Sequence, residues 1–171
     1  MNKNIRIVYG LGREDIIFSR LKHSILEIER SKYKYSFFDF YQKSSNVLFE
    51  LKSLGYAKTG FTYAIMNTRK LTEYNHLVFL FEYENDNIFG LENQESHHLY
   101  YHIYDHKRKY NVRYIYPDET NRMIQEEVID IPMNELIRFN YGIEYTFDFT
   151  DSITAEDVDT FDAIIKKNQG H

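Results

Sequence analysis

The sequence predicts an α+β fold, a mixed central sheet flanked by helices, and three observations carry that prediction. Arg13–Arg30 spaces Ile17, Leu21, Ile25 and Ile28 at a helical period. His76–Glu84 (HLVFLFEYE) is an apolar run of strand length. Between them, Tyr35–Tyr41 and Val47–Lys52 are apolar segments separated by the polar stretch Gln42–Asn46, which is the composition of two strands and a turn.

The elements follow in chain order. Ile5–Tyr9 (IRIVY) reads as a short strand or extended lead-in, and Arg13–Arg30 as an amphipathic helix. After the two strands, Ala57–Tyr74 is polar, basic and weakly periodic, and reads as a loop plus a helix. The buried strand His76–Glu84 comes next. Two Tyr-rich strands, His98–Asp105 and Tyr110–Tyr116, are joined by the basic turn His106–Lys109. Pro132 opens a short helix through Phe139, because its fixed φ suits a first helical position. Ile143–Phe149 alternates, with Ile143, Tyr145, Phe147 and Phe149 inward and Glu144, Thr146 and Asp148 outward. A closing helix starts at Thr154, with Asp157 in its capping box and Val158, Phe161 and Ile165 as its apolar stripe. Lys166 and Lys167 suit its C-terminal dipole.

The chain of 171 residues has no repeat and no Pro/Gly-rich linker, so a single domain is expected. Its core spans about 13–116, with 117–171 as a C-terminal strand–helix elaboration. Hydrophobic residues make up 43% and aromatics 17%, which argues against disorder. The absence of cysteine excludes disulfides and Cys-based zinc sites. No signal-peptide core and no apolar run of bilayer length is present, so a cytoplasmic protein without a membrane partner is expected. The net charge of −5 is unevenly spread: residues 1–80 hold 13 Lys+Arg against 7 Asp+Glu, and residues 118–162 hold 2 against 13. A phosphate-tracking surface therefore fits the N-terminal half. The acidic part reads as a solvated face or as a surface for a basic partner.

The stretch Phe37–Lys52, FFDFYQKSSNVLFELK, carries the chemistry. Asp39 is a lone acid between Phe38 and Phe40, and Glu50 lies between Phe49 and Leu51. Charges in such apolar strands are costly unless partnered or used. Lys52, two residues after Glu50, projects to the same strand face, and this is the only Glu-x-Lys in the chain. Two carboxylates can hold Mg²⁺ against a substrate phosphate. A neighbouring lysine can orient or deprotonate the attacking water and offset transition-state charge. The competing reading runs one helix from Ser36 through Leu51 with Gly55 as its C-cap, but the polar QKSSN run argues against it.

FDFYQKSSNVLFELKS resembles the active-site hairpin of the PD-(D/E)XK nuclease superfamily. The continuation, FELKSLGYAKTGFTYAIMN, LVFLFEY and HHLYYHIYDHKRKY, is similar in order and local character to the PvuII-type restriction endonucleases. The likeness runs from about Asp39 to Tyr116, with ELKS, Gly60-Phe61 and Met66-Asn67 as its more specific parts. It implies a restriction-endonuclease-like sheet, with Asp39 and Glu50 as metal ligands and Lys52 as the catalytic lysine. The family's DNA-reading segment would fall on Lys58 to Lys70. The histidine run of PvuII-type members is absent there, replaced by Tyr63, Ala64 and Ile65, and Phe38 rather than proline stands immediately before Asp39, which many members tolerate. By residue chemistry, Lys58, Thr62, Tyr63, Asn67, Arg69 and Lys70 suit contact with double-stranded DNA: the cations on phosphates, Asn on adenine, Arg on guanine.

Other features weigh less. His98, His102 and His106 share a strand face, but successive members lie four residues apart, too far for one strand to chelate zinc with all three. Lys107, Arg108, Lys109 and Arg113 form a basic hairpin, read either as a phosphate grip or as a solvated turn. Gly10-Leu11-Gly12 lacks the third glycine of a phosphate loop, because Asp15 takes its place; it reads as a turn. Glu27 or Glu29 could add a helix acid to the metal site, and Glu144 with Asp148 is a weaker rival pair. The expected function is a Mg²⁺-dependent type II restriction endonuclease acting as a homodimer on a short palindrome. Two alternatives are a structure-selective nuclease using the same three residues, and a non-catalytic immunity or anti-defence inhibitor using the acidic C-terminal region.

Overall fold

In a computed structural model of the chain, the described residues are 3–30, 38–71, 76–85, 96–117, 123–147 and 149. Helix α1 runs Lys3–Leu21. It therefore includes Ile5–Tyr9, expected as a strand, and Gly10–Gly12, expected as a turn. A short apolar run has no period that separates strand from helix. The helix also ends well before Arg30. The chain turns through Glu27, whose φ is +56°, into β1 (Ile28–Arg30). Ile25 and Ile28 are nevertheless buried with Ile17 and Leu21 in one cluster. Their spacing recorded burial, and the turn delivers the last two to the core that the helix serves.

The sheet strands are β2 (Phe40–Gln42), β3 (Val47–Ala57), β4 (Tyr63–Asn67), β5 (His76–Glu84), β6 (His97–Ile103), β7 (Asn111–Ile115), β8 (Glu126–Pro132) and β9 (Ile137–Arg138). Among the described residues they form a six-stranded sheet, ordered β1-β2-β3-β5-β6-β9, and a three-stranded sheet, β4-β8-β7. The larger sheet is mixed: β3 and β5 run parallel and its other pairs antiparallel.

The large sheet is covered on both sides. One face, with Val47, Phe49, Val78 and Leu80, packs on Ile17 and Leu21 of α1. The other, with Leu48, Leu77, Phe79 and Phe81, packs on Ala64 and Met66 of β4 and on Ile129 and Ile131 of β8. This double cover is why the strand carries an unbroken apolar run, Leu77–Phe81.

Several expectations are corrected. The sheet is flanked by a helix on one face and a second sheet on the other, and α1 is the only α-helix among the described residues. The helix placed within Ala57–Tyr74 is instead β4 followed by a 3-10 turn, Thr68–Lys70. β6 and β7 do not pair as a hairpin; they enter different sheets. Pro132 precedes only a 3-10 turn, Met133–Glu135, before β9. Residues 143–147 form no strand. Tyr145, Phe147 and Phe149 do pack on the α1-side core, while Ile143 is half exposed. The helix from Thr154, and residues 35–37 and 72–74, lie outside the described residues. No helix among the described residues is long and apolar enough to cross a membrane.

Candidate metal centre

The turn between β2 and β3 brings the acids together. Residues 43–45 form a 3-10 turn, and Asn46 closes it at φ +55°, a left-handed conformation that asparagine tolerates better than most residues. The chain therefore doubles back, with Phe40 opposite Phe49. These strands rule out the single helix from Ser36 through Leu51. One residue before β2, the Asp39 amide donates to the Phe49 carbonyl at 3.1 Å. The Leu51 amide donates in return to Asp39 Oδ2 at 2.7 Å, which fixes the carboxylate beside the residue that follows Glu50.

Glu50 and Lys52 share a face of β3, in register with Phe79 and Phe81 of β5, the face that looks toward the smaller sheet. Glu50 Oε1 pairs with Lys70 Nζ at 3.1 Å. Glu50 Oε2 is buried and has no hydrogen-bond partner. Lys52 Nζ donates to the Ile65 carbonyl of β4 at 2.9 Å. The smaller sheet thus supplies the anchor for one lysine, and the turn after β4 supplies the other.

The electrostatics follow from burial. Desolvation, with the nearby charge of Asp39 behind it, pushes Glu50 up to about 8, against the pull of Lys70 and Lys52. Desolvation also raises Asp39 to about 6, opposed by the Leu51 amide. Burial lowers the Lys52 ammonium, while Glu50 and Glu126 work against that shift. Two acids that desolvation pushes toward protonation, Glu50 further by the charge of Asp39 and Asp39 further by that of Glu14, are what a divalent cation would relieve. The partnerless Glu50 Oε2 offers such a cation an oxygen.

A third acid approaches from α1. Glu14 lies close enough to raise Asp39 further, and Arg30 pairs with it at 2.8 Å and also with Asp15. The helix acid proposed from sequence was Glu27 or Glu29. Glu27 is exposed in the turn, and Glu29 accepts from the Tyr41 hydroxyl at 2.6 Å. Glu14 was legible as the acid three residues before Ile17, at the edge of the buried stripe.

Of the six residues expected on DNA, only Lys70 joins the acids. Lys58 Nζ lies over the Tyr100 ring at 4.5 Å. Thr62 and Tyr63 are exposed. Tyr63 and Asn67 occupy the face of β4 opposite the buried Ala64 and Met66. The Asn67 side chain accepts from the Arg69 amide at 3.0 Å, and Arg69 is exposed.

The features weighed less resolve as follows. His102 is buried, with Nε2 2.9 Å from the Tyr110 hydroxyl. His98 lies opposite Tyr83, and His106 stands edge-on to Tyr104. Arg108 of the basic turn makes two contacts with Glu135, the longer at 3.1 Å. Glu144 is exposed, and Asp148 lies outside the described residues. Among the described residues no group of three or more His, Cys, Asp or Glu is arranged to hold a metal, so a cation here would rest on two carboxylates and on oxygens from solvent or substrate. In comparisons with known proteins, no family model, no curated protein and no solved structure matches this chain.

Proposed function

We propose that the chain is a Mg²⁺-dependent DNA endonuclease of the type II restriction kind, related to the PD-(D/E)XK nucleases, cutting both strands of a short palindromic site as a twofold homodimer. The observation that supports this most is the meeting of Asp39 and Glu50 across one hairpin, with a partnerless carboxylate oxygen on Glu50 and Lys52 on the same strand face.

Asp39 and Glu50 would hold the cation. When bound, Mg²⁺ supplies positive charge for the phosphoryl oxygens and lowers the pKa of a bound water. The chain's own residues do the rest. The Leu51 amide fixes Asp39 in one rotamer. Lys52, held by the Ile65 carbonyl and lowered by burial, can take a proton from the attacking water more readily than a solvated lysine can. Lys70 adds a second positive charge for the scissile phosphate. A structure-selective nuclease would use the same groups on branched substrates. The interaction-protein reading rests on residues 118–162, many of which lie outside the described residues.

The test is direct. Purified protein with Mg²⁺ is expected to cut bacteriophage DNA into a discrete ladder. Glu50→Gln and Lys52→Ala should each lower the rate by at least about a hundredfold while keeping the wild-type circular dichroism spectrum. Intact DNA across unrelated templates and several divalent metals rejects the proposal. Cleavage confined to branched DNA at any sequence selects the structure-selective reading.

A further inference from the structure

Beyond Lys52, the far end of β3 and the turn after it present a different chemistry. Tyr56 and Phe61 are 43% and 48% exposed, yet their ring centroids are 4.6 Å apart with planes 30° from parallel. Gly60, at φ +90°, turns the chain so that Phe61 comes back beside Tyr56. Tyr56 rests on Tyr83 at 6.1 Å, and Tyr83, itself buried, meets Tyr100 at 6.0 Å. The exposed pair is thus footed on the core. Two cations stand over Tyr100, the next ring of this aromatic row: Lys58 Nζ lies 4.5 Å and Arg138 Cζ 5.9 Å from its centroid. The acid nearest in register, Glu84, pairs with Ala57 and alternates to the face of β5 away from Tyr83.

Adjacent exposed aromatic rings form a contiguous apolar patch, and such a patch beside polar and charged groups is a candidate binding surface. Their flat faces select a flat π-system, and the neighbouring cations select an anion. A nucleotide joins the two. Bases inside a duplex offer only their edges to a protein, whereas an unpaired base offers its whole face. We infer that Tyr56 and Phe61, with Lys58 and Arg138 on the neighbouring Tyr100, form a stacking platform for unpaired nucleotides of a DNA strand. Tyr56 lies four residues past Lys52, roughly 13 Å along the strand. A strand with a phosphate at the acids can therefore lay a frayed, flapped or flipped base on these rings. The inference concerns binding, and its test separates it from cleavage.

Binding is measured by fluorescence anisotropy in EDTA, where no metal-dependent hydrolysis occurs, with a labelled oligodeoxythymidylate and a blunt duplex of equal length. The wild type is expected to hold the single strand more tightly than the duplex. Phe61→Ala should weaken single-strand binding about tenfold, and Phe61→Trp should retain it, as expected for loss or retention of one base–ring stack. Lys58→Gln should lower the slope of log affinity against log salt by about one. Phe61 is half exposed, so the fold should be kept, and circular dichroism checks it. The inference is overturned if the wild type does not bind the single strand, or if Phe61→Ala binds it as the wild type does. It is equally overturned if the substitution alters only self-association. Single-strand binding retained by Glu50→Gln shows that the platform acts apart from the hydrolytic centre; binding lost with Glu50→Gln overturns the inference.

Discussion

Lys70 holds the position beside Glu50 that a metal ion would compete for. Its ammonium lies 3.1 Å from Glu50 Oε1, its side chain is 16% exposed, and it also sits 5.7 Å from the Phe38 ring centroid. A resident cation opposes a second one, so metal entry requires Lys70 to yield Glu50 or to share it. Lys70→Met keeps the apolar stem and removes the charge. Because Lys70 also holds Glu50 down, the two proteins are compared over a series of pH values, and at the alkaline end the variant should bind Mg²⁺ several-fold more tightly than the wild type by calorimetric titration, a change on the order of 1 kcal/mol. Unchanged or weaker affinity would mean that Lys70 helps seat the metal. The sequence made Lys70 visible as a DNA-facing cation but could not orient it. Arg69 and Lys70 are adjacent, and only the 3-10 turn decides which one points at the acids. By contrast, Asp39, Glu50 and Lys52 were legible because strand period and an apolar setting both act locally.

At the scale of elements, α1 is fixed to the large sheet by more than its apolar stripe. Arg13 donates from Nε and Nη2 to the two oxygens of Glu82, each at 2.7 Å, and the Glu82 side chain is 2% exposed. Removing the arginine strands a buried charge, which costs more than the pair itself is worth. Arg13→Met should therefore destabilise the protein by about 3 kcal/mol in urea denaturation. Adding Glu82→Met should recover much of the loss, and an equally unstable double variant would contradict this account. The elements that were legible are those whose pattern is set by their own burial: β5, covered on both faces, and β3 with its turn. Of the smaller sheet only β7 was, as the expected strand Tyr110–Tyr116; β4 and β8 were not. β8 (EEVIDIP) carries three acids, and acids in a short segment read as surface. Yet Asp130 is buried because β7 answers it, with Asn111 Nδ2 and Arg113 Nε each at 2.8 Å. That compensation is cross-strand, so no local window contains it. The same holds for the split of β6 and β7 between sheets, which a short basic turn disguises as a hairpin.

At the scale of the whole molecule, the two sheets close over titratable groups with opposite pH dependence. His102, on β6, is packed against Tyr110 between them. Burial lowers it to about 4, against the pull of Glu135 and Asp105 and aided by Arg108, so it is neutral at pH 7. An unfolded histidine takes its proton near 6.5. Between about 6.5 and about 4 the unfolded chain therefore binds more protons, and folding stability contributed by this site falls as pH falls, by up to about 3 kcal/mol in all. Asp39 and Glu50 act in the other direction. Their folded values are raised, so the unfolded chain loses those protons first, and acidification relieves a strain that builds as pH rises from the ordinary carboxylate range toward about 8. The acid profile of the wild type is the difference of these effects, so His102 offsets part of what acidification gains at the two carboxylates. Substituting His102 separates them. His102→Gln should be less stable than the wild type at pH 7, where it loses packing, but its stability should fall less, or even rise, as pH is lowered from 7 to 4.5. The measurement is urea denaturation of both proteins at a series of pH values. If the wild type and His102→Gln curves run parallel across that window, His102 is not titrating against burial, and the closure of the two sheets over it has been misjudged.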